Sequence, residues 1–372
     1  MGIWTPVAQR RAEQKRAAMT VGQWLDQFHD SLNVRASTMQ TYRNTTKNRI
    51  TAPLPPGDED PRVTRLKDIS LGTLTKADVY EWWDGISRAY DTPETNRKAY
   101  TRLKAALDEA LRRELIDRNP VEIKAAKRKI QPKTPYLPRT EELHAIVTAM
   151  RPRYKLFTAL CLFHGLRIGE AIALEAEDVI TADLPVPYAP RYSIRVKQNA
   201  QRITPDGGRT YMLLQEPKTQ AAFREVPFMP SMVPILWEHL AKHIGAPVTL
   251  PVSRELGGGK RQTRLLTTTS EGRILWDTSF REVLARTVEI AGVDERIKPH
   301  SGRRWLVTHL AESGAHVKEI ARIVGDNDLD TIMKIYMQVR VERTSELMDM
   351  LDVTLVSKSE PAKESKSSEK AE

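Results

Sequence analysis

Apolar residues recur at helical spacing through the first third of the chain. Trp24 and Phe28 lie on one face of a predicted helix. Further along, Thr92 precedes Pro93, and proline is favoured at the first position of a helix. Residues 21–123 therefore predict a small helical domain. The apolar stripe of its last long helix consists of Tyr100, Leu103, Leu107 and Leu111.

The pattern changes in the second half of the chain. Helical spacing begins again near residue 140, and three short stretches rich in β-forming residues follow. These stretches are RYSIRV (191–196), TYMLLQ (210–215) and FREVPF (223–228). Helical spacing then returns to about residue 351. We therefore expect a mainly α fold with a small antiparallel β-sheet, in which residues 140–352 form a mixed α/β domain.

Segments of different composition surround these two domains. Residues 124–139 hold six Lys or Arg, three prolines and no acidic residue, so they predict an extended linker. This linker is either solvated or lies along the phosphates of a nucleic acid, and the basic helix before it favours the second interpretation. Residues 1–20 form a basic N-terminal segment. Residues 353–372 are too polar to bury a core and are predicted to be disordered.

The overall charge narrows the class of partner. The 372 residues carry a net charge of +10, which favours a polyanion, nucleic acid before an anionic membrane surface. The single cysteine, Cys161, excludes an internal disulfide and a cysteine-based zinc site, and its apolar neighbours indicate core packing. No signal pattern and no apolar run of about 18 residues is present, so we expect a cytoplasmic protein that does not enter a membrane.

Four clusters along the second domain could carry chemistry. Arg167 follows a glycine at a predicted helix start in FHGLRIGEAIALEAEDV, and Lys218 lies between two predicted strands in QEPKTQAAFREVPF. His300 and Arg303 are one helical turn apart in PHSGRRWLVTHL, and Tyr336 lies in TIMKIYMQV. Each cluster alone also fits an ordinary surface helix, a solvated turn or core packing.

The order of the four clusters resembles that of the tyrosine recombinase (phage integrase) family. The resemblance covers the whole second domain, and the helical first domain with its basic linker is similar to that family's core-binding domain and connector. The resemblance implies a two-domain, C-shaped clamp around DNA. It also implies a site-specific recombinase that integrates or excises a phage or other mobile element.

The resemblance also implies a role for each residue. Arg167 and Arg303 would hold the scissile phosphate, and His300 would accept a proton. Lys218 corresponds to the family's hairpin lysine and would protonate the leaving oxygen, while Tyr336 would be the nucleophile. The product would be a 3′-phosphotyrosyl link, formed without a cofactor or a metal ion.

Several partners follow from the same resemblance. We expect double-stranded DNA containing core attachment sites, a homotetramer on the DNA synapse, a monomer or weak oligomer when free, and possible use of a directionality factor. The basic residues expected to contact DNA are Arg97, Lys98, Arg102, Lys127, Arg128, Lys129, Lys133 and Arg304.

The sequence departs from the family pattern in three places. Arg304 stands where many members have a second histidine after the His-x-x-Arg motif. Asp326 follows Gly325 where the family has histidine or tryptophan, and a carboxylate can accept but not donate a hydrogen bond. Either Asn327 supplies the missing donor through its amide, or that position is vacant and activity is reduced. Only about 20 residues precede the helical domain, so we expect recombination on short core sites with little use of distant arm sites.

Other functions remain open at this stage. A type IB topoisomerase or a Xer-like chromosome-dimer resolvase would use the same chemistry. A non-catalytic DNA-binding relative and a phosphohydrolase are alternatives of other classes. The segment after Tyr336 is expected either to cap its own domain or to pack into a neighbouring protomer.

Overall fold

The computed structural model describes residues 19–51, 66–127, 135–183, 190–205, 208–325, 332–333, 348–349 and 351–352. The chain divides into two compact units. One comprises residues 1–134 with residues 203–211, and the other comprises residues 135–202 with residues 212–372.

The first unit is helical. Two buried tryptophans fix its core, because each indole N–H donates a hydrogen bond to a backbone carbonyl. Trp24 Nε1 donates to Ala106 O (2.8 Å) and Trp82 Nε1 donates to Arg49 O (2.7 Å). The longest helix packs against the other three. The described helices are α1 (Val21–Ser31), α2 (Ala36–Thr46), α3 (Lys76–Ala89) and α4 (Pro93–Arg112).

The predicted apolar stripe of α4 is correct for three residues and wrong for the fourth. Pro93 is the first helical residue, as expected, and Tyr100, Leu103 and Leu107 are buried. Leu111 is 39% exposed, because in the last turns of the helix the small residues Ala106 and Ala110 face the core instead.

The second unit is built around one helix, α6 (Pro152–Leu162), whose last two turns are buried on all sides. Residues 156–162 of this helix are all apolar except Thr158, which suits an enclosed position. It contains Cys161, which is buried as predicted, and burial raises the pKa of its thiol. The neighbouring helices are α5 (Thr140–Ala149), α7 (Ile168–Ala173), α8 (Val233–Lys242), α9 (Asp277–Ile290), α10 (Ser301–Glu312) and α11 (Val317–Val324).

The strands of the second unit form small antiparallel sheets. Strands β1 (Val179–Ala182), β2 (Arg191–Val196) and β5 (Arg224–Pro227) form a three-stranded sheet, with Ile194 opposite both Val179 and Val226. The mainly α fold with a small antiparallel sheet is therefore confirmed. Two further pairs are β3 (Asn199–Ile203) with β4 (Tyr211–Gln215), and β6 (Val248–Pro251) with β7 (Lys260–Thr263).

The hairpin of β3 and β4 lies between β2 and β5 along the chain but does not separate these two strands in the three-stranded sheet. β2 pairs directly with β5, although residues 197–223 separate them along the chain. The loop that carries Lys218 therefore joins strands of two different sheets, β4 and β5. The family resemblance implied that Lys218 lies in the turn of a hairpin, whereas β4 and β5 do not pair with each other. Among the described residues, no helix is long and apolar enough to cross a membrane.

Two buried histidines stabilise the second unit in their neutral forms. Burial lowers the pKa of His164 to about 4, against the opposing effect of the hydrogen bond that its Nδ1–H donates to Ala159 O (3.1 Å). Its Nε2 accepts a hydrogen bond from the Met229 amide (3.0 Å). Burial likewise lowers the pKa of His239 to about 4.

These shifts predict a loss of stability in mild acid. An unfolded histidine binds its proton near pH 6.5, whereas the folded residues bind theirs only near pH 4. The free energy of unfolding should therefore fall as pH drops from 6.5 towards 4, by about 1.4 kcal/mol per pH unit for each histidine. Urea unfolding at stepped pH values should show a shallower slope in His239→Gln. His144→Gln, on an exposed position of α5, is the control, and equal slopes in all three proteins would contradict the prediction.

Candidate active site

The two predicted phosphate-binding arginines are brought together by a close approach of α10 to α6. Gly302, in the first turn of α10, lies directly over the end of α6. A Cβ atom at this position would be 2.2 Å from Leu162 Cα and 2.5 Å from Cys161 O. Only glycine allows this contact, which places the start of α10 against the loop that follows α6.

Arg303 reaches that loop directly. Its side chain is buried, and Nη1 donates a hydrogen bond to Gly165 O (3.1 Å). Gly165 has a φ of +66°, and a Cβ atom there would be 2.9 Å from Leu306 Cδ2. The loop therefore turns under α10 at a position where a side chain would be both strained and crowded.

Arg167 leaves the same loop two residues later and precedes the first residue of α7. Its backbone N–H donates to Glu170 Oε2 (2.9 Å), and its Nη1 donates to Glu170 Oε1 (2.9 Å). The same Nη1 lies 3.3 Å from Gly325 O, at the end of α11. Part of the Arg167 side chain is solvent-exposed, so its guanidinium is positioned by protein on one side and open on the other.

A second, fully buried arginine completes this network. Arg224 begins β5, and its Nη2 and Nη1 donate to the two carboxylate oxygens of Glu170, at 2.9 and 3.3 Å. Burial raises the pKa of Glu170, but the hydrogen bonds and charge of Arg224, together with Arg167, outweigh it and hold the pKa below its usual value. Glu170 is therefore an anion held between two guanidiniums.

His300 and Lys218 are both exposed. His300 immediately precedes Ser301, the first residue of α10, and lies one helical turn before Arg303. Because the amino-terminal end of a helix carries a partial positive charge, this end of α10 favours an anion. The loop of Lys218 is tied to the arginine network through the Ala222 carbonyl, which accepts from Arg224 Nη1 (3.1 Å).

A second lysine near this loop is unavailable for chemistry. Lys197 directly follows β2, and its Nζ lies 2.6 Å from Glu175, 2.9 Å from Asp178 and 3.0 Å from Glu177. Burial lowers its pKa, but these carboxylates outweigh burial and raise it above the usual value. Lys197 is therefore a fixed structural cation, whereas Lys218 is exposed.

Three predicted site residues lie outside the described residues. They are Asp326, Asn327 and Tyr336. The last described residue before them, Gly325, has a φ of +65° and ends α11, and its carbonyl is the one that accepts from Arg167.

Three of the basic residues predicted to contact DNA line one cleft of the first unit. Arg97, Lys98 and Arg102 on α4 face α2 across a space of about 370 Å³. The Arg102 guanidinium lies 3.6 Å from the centre of the Tyr42 ring, a cation–π contact. The other lining residues are Thr41, Thr45, Glu94 and Thr101.

The remaining predicted DNA-contacting residues are more scattered. Arg304 Nη1 donates a hydrogen bond to Pro135 O (3.2 Å), so part of this guanidinium holds the end of the linker. Lys127 ends a short 3₁₀ turn, Ala125–Lys127. Arg128, Lys129 and Lys133 lie outside the described residues.

Two residues of this network were not predicted from the sequence to act at the site. Glu170 is three residues after Arg167, a spacing that places both on one face of a helix turn. Arg224 lies in a strand whose buried positions alternate, Arg224 and Val226 inside with Glu225 and Pro227 outside. A basic residue at an inward position of a strand is the signal that could have found it, since a buried charge requires a partner.

Comparison with known proteins identifies the family of the chain. Residues 138–343 match the phage integrase family, and the chain belongs to that family. The site-specific recombinase class expected from the sequence is confirmed. The chain is 25% identical to the integrase of Mycobacterium phage D29 over 338 residues, 90% of this chain and 79% of the relative.

Two further similarities extend over most of the chain. The integrase of Mycobacterium phage L5 is 24% identical over 359 residues, 95% of this chain and 85% of the relative. A Tn1549 transposon integrase in complex with transposon right end DNA has the same fold. Its TM-score is 0.67 at 19% identity, and the match covers 89% of this chain and all of that one.

The contact at Gly302 predicts a sensitive position. In Gly302→Ala the new methyl group would meet backbone atoms of Leu162, which cannot move aside. We expect the free energy of unfolding to fall by about 1–3 kcal/mol, as is typical of overpacked cores. Gly72→Ala, where nothing lies within 4 Å of the new atom, should change it by less than about 0.5 kcal/mol. Urea unfolding checks both, and equal stability of the two variants would show that α10 does not need this contact.

Proposed function

We propose that this integrase exchanges DNA phosphodiesters through Tyr336, with Arg167 and Arg303 holding the scissile phosphate. The observation that supports this most directly is the shared loop of residues 165–167. The Arg303 guanidinium donates to Gly165 O, and Arg167 belongs to the same loop, so this short segment brings the two arginines together. The Arg167 guanidinium is in turn held by Glu170.

Two arginines suit the chemistry of a phosphodiester. During in-line displacement, negative charge is spread over the non-bridging oxygens, and a planar guanidinium can donate two parallel hydrogen bonds to them. Arginine also keeps its charge at any physiological pH. Removing one well-placed donor of this kind typically costs about 3–4 kcal/mol of transition-state stabilisation.

The proton transfers can be assigned to two further residues. A tyrosine hydroxyl has a pKa of about 10, so only about one part in a thousand is phenolate at neutral pH. In the proposed step His300 accepts the Tyr336 proton while the phenolic oxygen bonds to phosphorus. The bond from phosphorus to the 5′-oxygen breaks, and Lys218 protonates that oxygen. The products are a 3′-phosphotyrosyl link and a free 5′-hydroxyl.

Rejoining is the same step in reverse with another strand. A 5′-hydroxyl of the second DNA attacks the phosphotyrosyl link and releases Tyr336. One phosphoester is exchanged for another in each direction, so no nucleotide hydrolysis is required. The choice of Lys218 as the acid is supported by the state of Lys197, whose ammonium is already engaged by three carboxylates.

We further propose that the cleft between α2 and α4 contacts the DNA duplex. Its arginines and lysine supply charge for phosphate contacts, and its threonines supply short hydroxyl donors. The helical first unit would then be the DNA-binding domain predicted at residues 21–123, and the predicted linker at 124–139 would connect it to the catalytic domain. The named relatives support this assignment, since one Tn1549 integrase structure is a complex with DNA.

The number of DNA strands exchanged indicates how many protomers act together. Joining two duplexes exchanges four strands, and one nucleophile per strand calls for four protomers, so we propose a homotetramer on paired core sites. A directionality factor and action in the cytoplasm of a bacterial host are parts of the proposal. The resolvase alternative is less favoured, because phage integrases are the relatives that match nine-tenths of the chain or more.

The covalent intermediate gives a direct test. A pool of nicked duplexes with a randomised core is incubated with the full chain, and protein–DNA adducts that survive SDS are collected and sequenced. We expect wild-type protein to form such an adduct and Tyr336→Phe to form none, because the phenylalanine ring has no oxygen to bond to phosphorus. Adducts of equal yield in Tyr336→Phe would exclude Tyr336 as the nucleophile, and their complete absence in both would favour a non-catalytic protein.

Salt dependence tests the cleft in the first unit. The logarithm of DNA affinity falls with the logarithm of salt concentration in proportion to the number of phosphates contacted. We expect Arg97→Ala and Lys98→Ala each to reduce that slope by about 1. The control is Arg112→Ala, which removes the same charge from the same helix but at a residue paired with Glu109 outside the cleft. An equal change in Arg112→Ala would point to net charge rather than contact.

A further inference from the structure

Arg224 is a buried cation that the proposed chemistry does not itself use. It is the first residue of β5, and only 3% of its side chain is exposed. A guanidinium this deeply buried is retained only where its donors are satisfied. The hydrogen-bond partners of Arg224 therefore indicate its role.

Those partners belong to three separate segments of the second unit. The bidentate contact to Glu170 reaches α7, at 2.9 and 3.3 Å. Nη1 also donates to Ala222 O (3.1 Å), in the loop before β5. Nε donates to Ile323 O (2.9 Å), in the last turn of α11.

Each of these segments leads to a residue of the proposed reaction. Glu170 accepts hydrogen bonds from the backbone and side chain of Arg167. The loop that ends at Ala222 carries Lys218. The last turn of α11 leads through Gly325 to the segment that contains Tyr336.

Arg224 also packs directly against the turn that ends α11. A Cβ atom on Gly325 would lie 2.7 Å from Arg224 Cδ and 2.8 Å from its Nη1. The Gly325 carbonyl in turn accepts from Arg167 Nη1 (3.3 Å). The two arginines thus hold the same turn from different directions, and Glu170 links them.

We propose that Arg224 is a positioning residue for strand cleavage, which fixes α7 beside Arg167, the loop of Lys218 and the end of α11 relative to one another. This inference rests on the proposed function. Arg224 does not bind the phosphate, since its two terminal nitrogens are directed at Glu170 and Ala222. Its role requires a planar group with donors pointing in three directions, which a lysine ammonium at the end of a flexible chain cannot reproduce.

A purely structural ion pair would have different consequences from a positioning residue. If the pair only stabilised the unit, a variant that remains folded would cleave DNA normally. If Arg224 positions the three segments, a folded variant keeps its DNA affinity but loses rate at saturating DNA. The loss can reach about 100-fold, since displacements of about 1 Å have effects of that size.

The test compares Arg224→Lys with the wild-type chain. The substrate is the nicked duplex that wild-type protein captures covalently, and the rate of adduct formation is measured in a single turnover at saturating DNA. Amide hydrogen exchange is measured without DNA. We expect DNA affinity within twofold of wild type, a rate about 100-fold lower, and faster exchange both at residues 219–223 and at residues 322–325.

A matched control is available in the same unit. Arg261 Nη2 donates to Glu175 Oε1 (2.9 Å) and to Gln198, so Arg261→Lys disturbs a part-buried ion pair that contacts neither Glu170, the loop of Lys218 nor the end of α11. It should cleave at the wild-type rate. If Arg224→Lys does not fold, Arg224→Gln is measured in the same way, because it leaves Glu170 paired with Arg167.

Two results would overturn the inference. One is a wild-type cleavage rate in a folded Arg224 variant, and the other is faster exchange in one of the two segments alone. If the wild-type chain forms no adduct with any duplex, the proposed function fails. The exchange measurement then still decides whether Arg224 couples the segments.

Discussion

The candidate active site depends on one buried carboxylate that two arginines share. Glu170 accepts hydrogen bonds from Arg167 on one side and from Arg224 on the other. Removing ions from water costs several kcal/mol each, so such a pair adds little net stability compared with an apolar core. The pair instead fixes the orientation of Arg167. The buried Arg224 holds Glu170, and Glu170 holds the Arg167 guanidinium at the edge of solvent, where an anion can reach it.

Elsewhere in the second unit, too, the residues that position a charged side chain differ from the charged residue itself. Gly302 and Gly165 have no side chains, yet they decide how near Arg303 comes to Arg167, because any Cβ atom there would meet backbone or packed side chains. Lys197 and Lys218 both flank the inserted hairpin, and three carboxylates neutralise Lys197. Lys197 therefore stabilises the fold, whereas the exposed Lys218 is the lysine for which we propose a role in the reaction.

Much of the fold could be predicted from the sequence, and much of the site could not. The long helices, the strand at 191–196 and the mainly α class follow from residue periodicity, because a helix of three or more turns repeats its pattern several times. The short strands β1, β3, β6 and β7 were missed, whereas β4 and β5, which are of the same length, were predicted; four or five residues give only two alternations, too few for a consistent prediction. The pairing of β2 with β5 could not be predicted either, because partners with 27 residues between them leave no local signal. Arg167, His300 and Arg303 were recognised through motif order, whereas the role proposed for Arg224 rests on side-chain contacts with Glu170 and Ile323, which lie 54 and 99 residues away in the sequence.

The hairpin of β3 and β4 has a consequence for how this sheet can change during evolution. Its two ends leave from β2 and return to β5, which are already neighbours, and the hairpin forms a sheet of its own. Residues can therefore be gained or lost at the tip of the hairpin, between β3 and β4, without shifting the register of Ile194 against Val226. The tip can diverge in length and sequence among descendants of one ancestor, while the bases of its strands, where Ala200, Met212 and Leu214 are buried, stay constant.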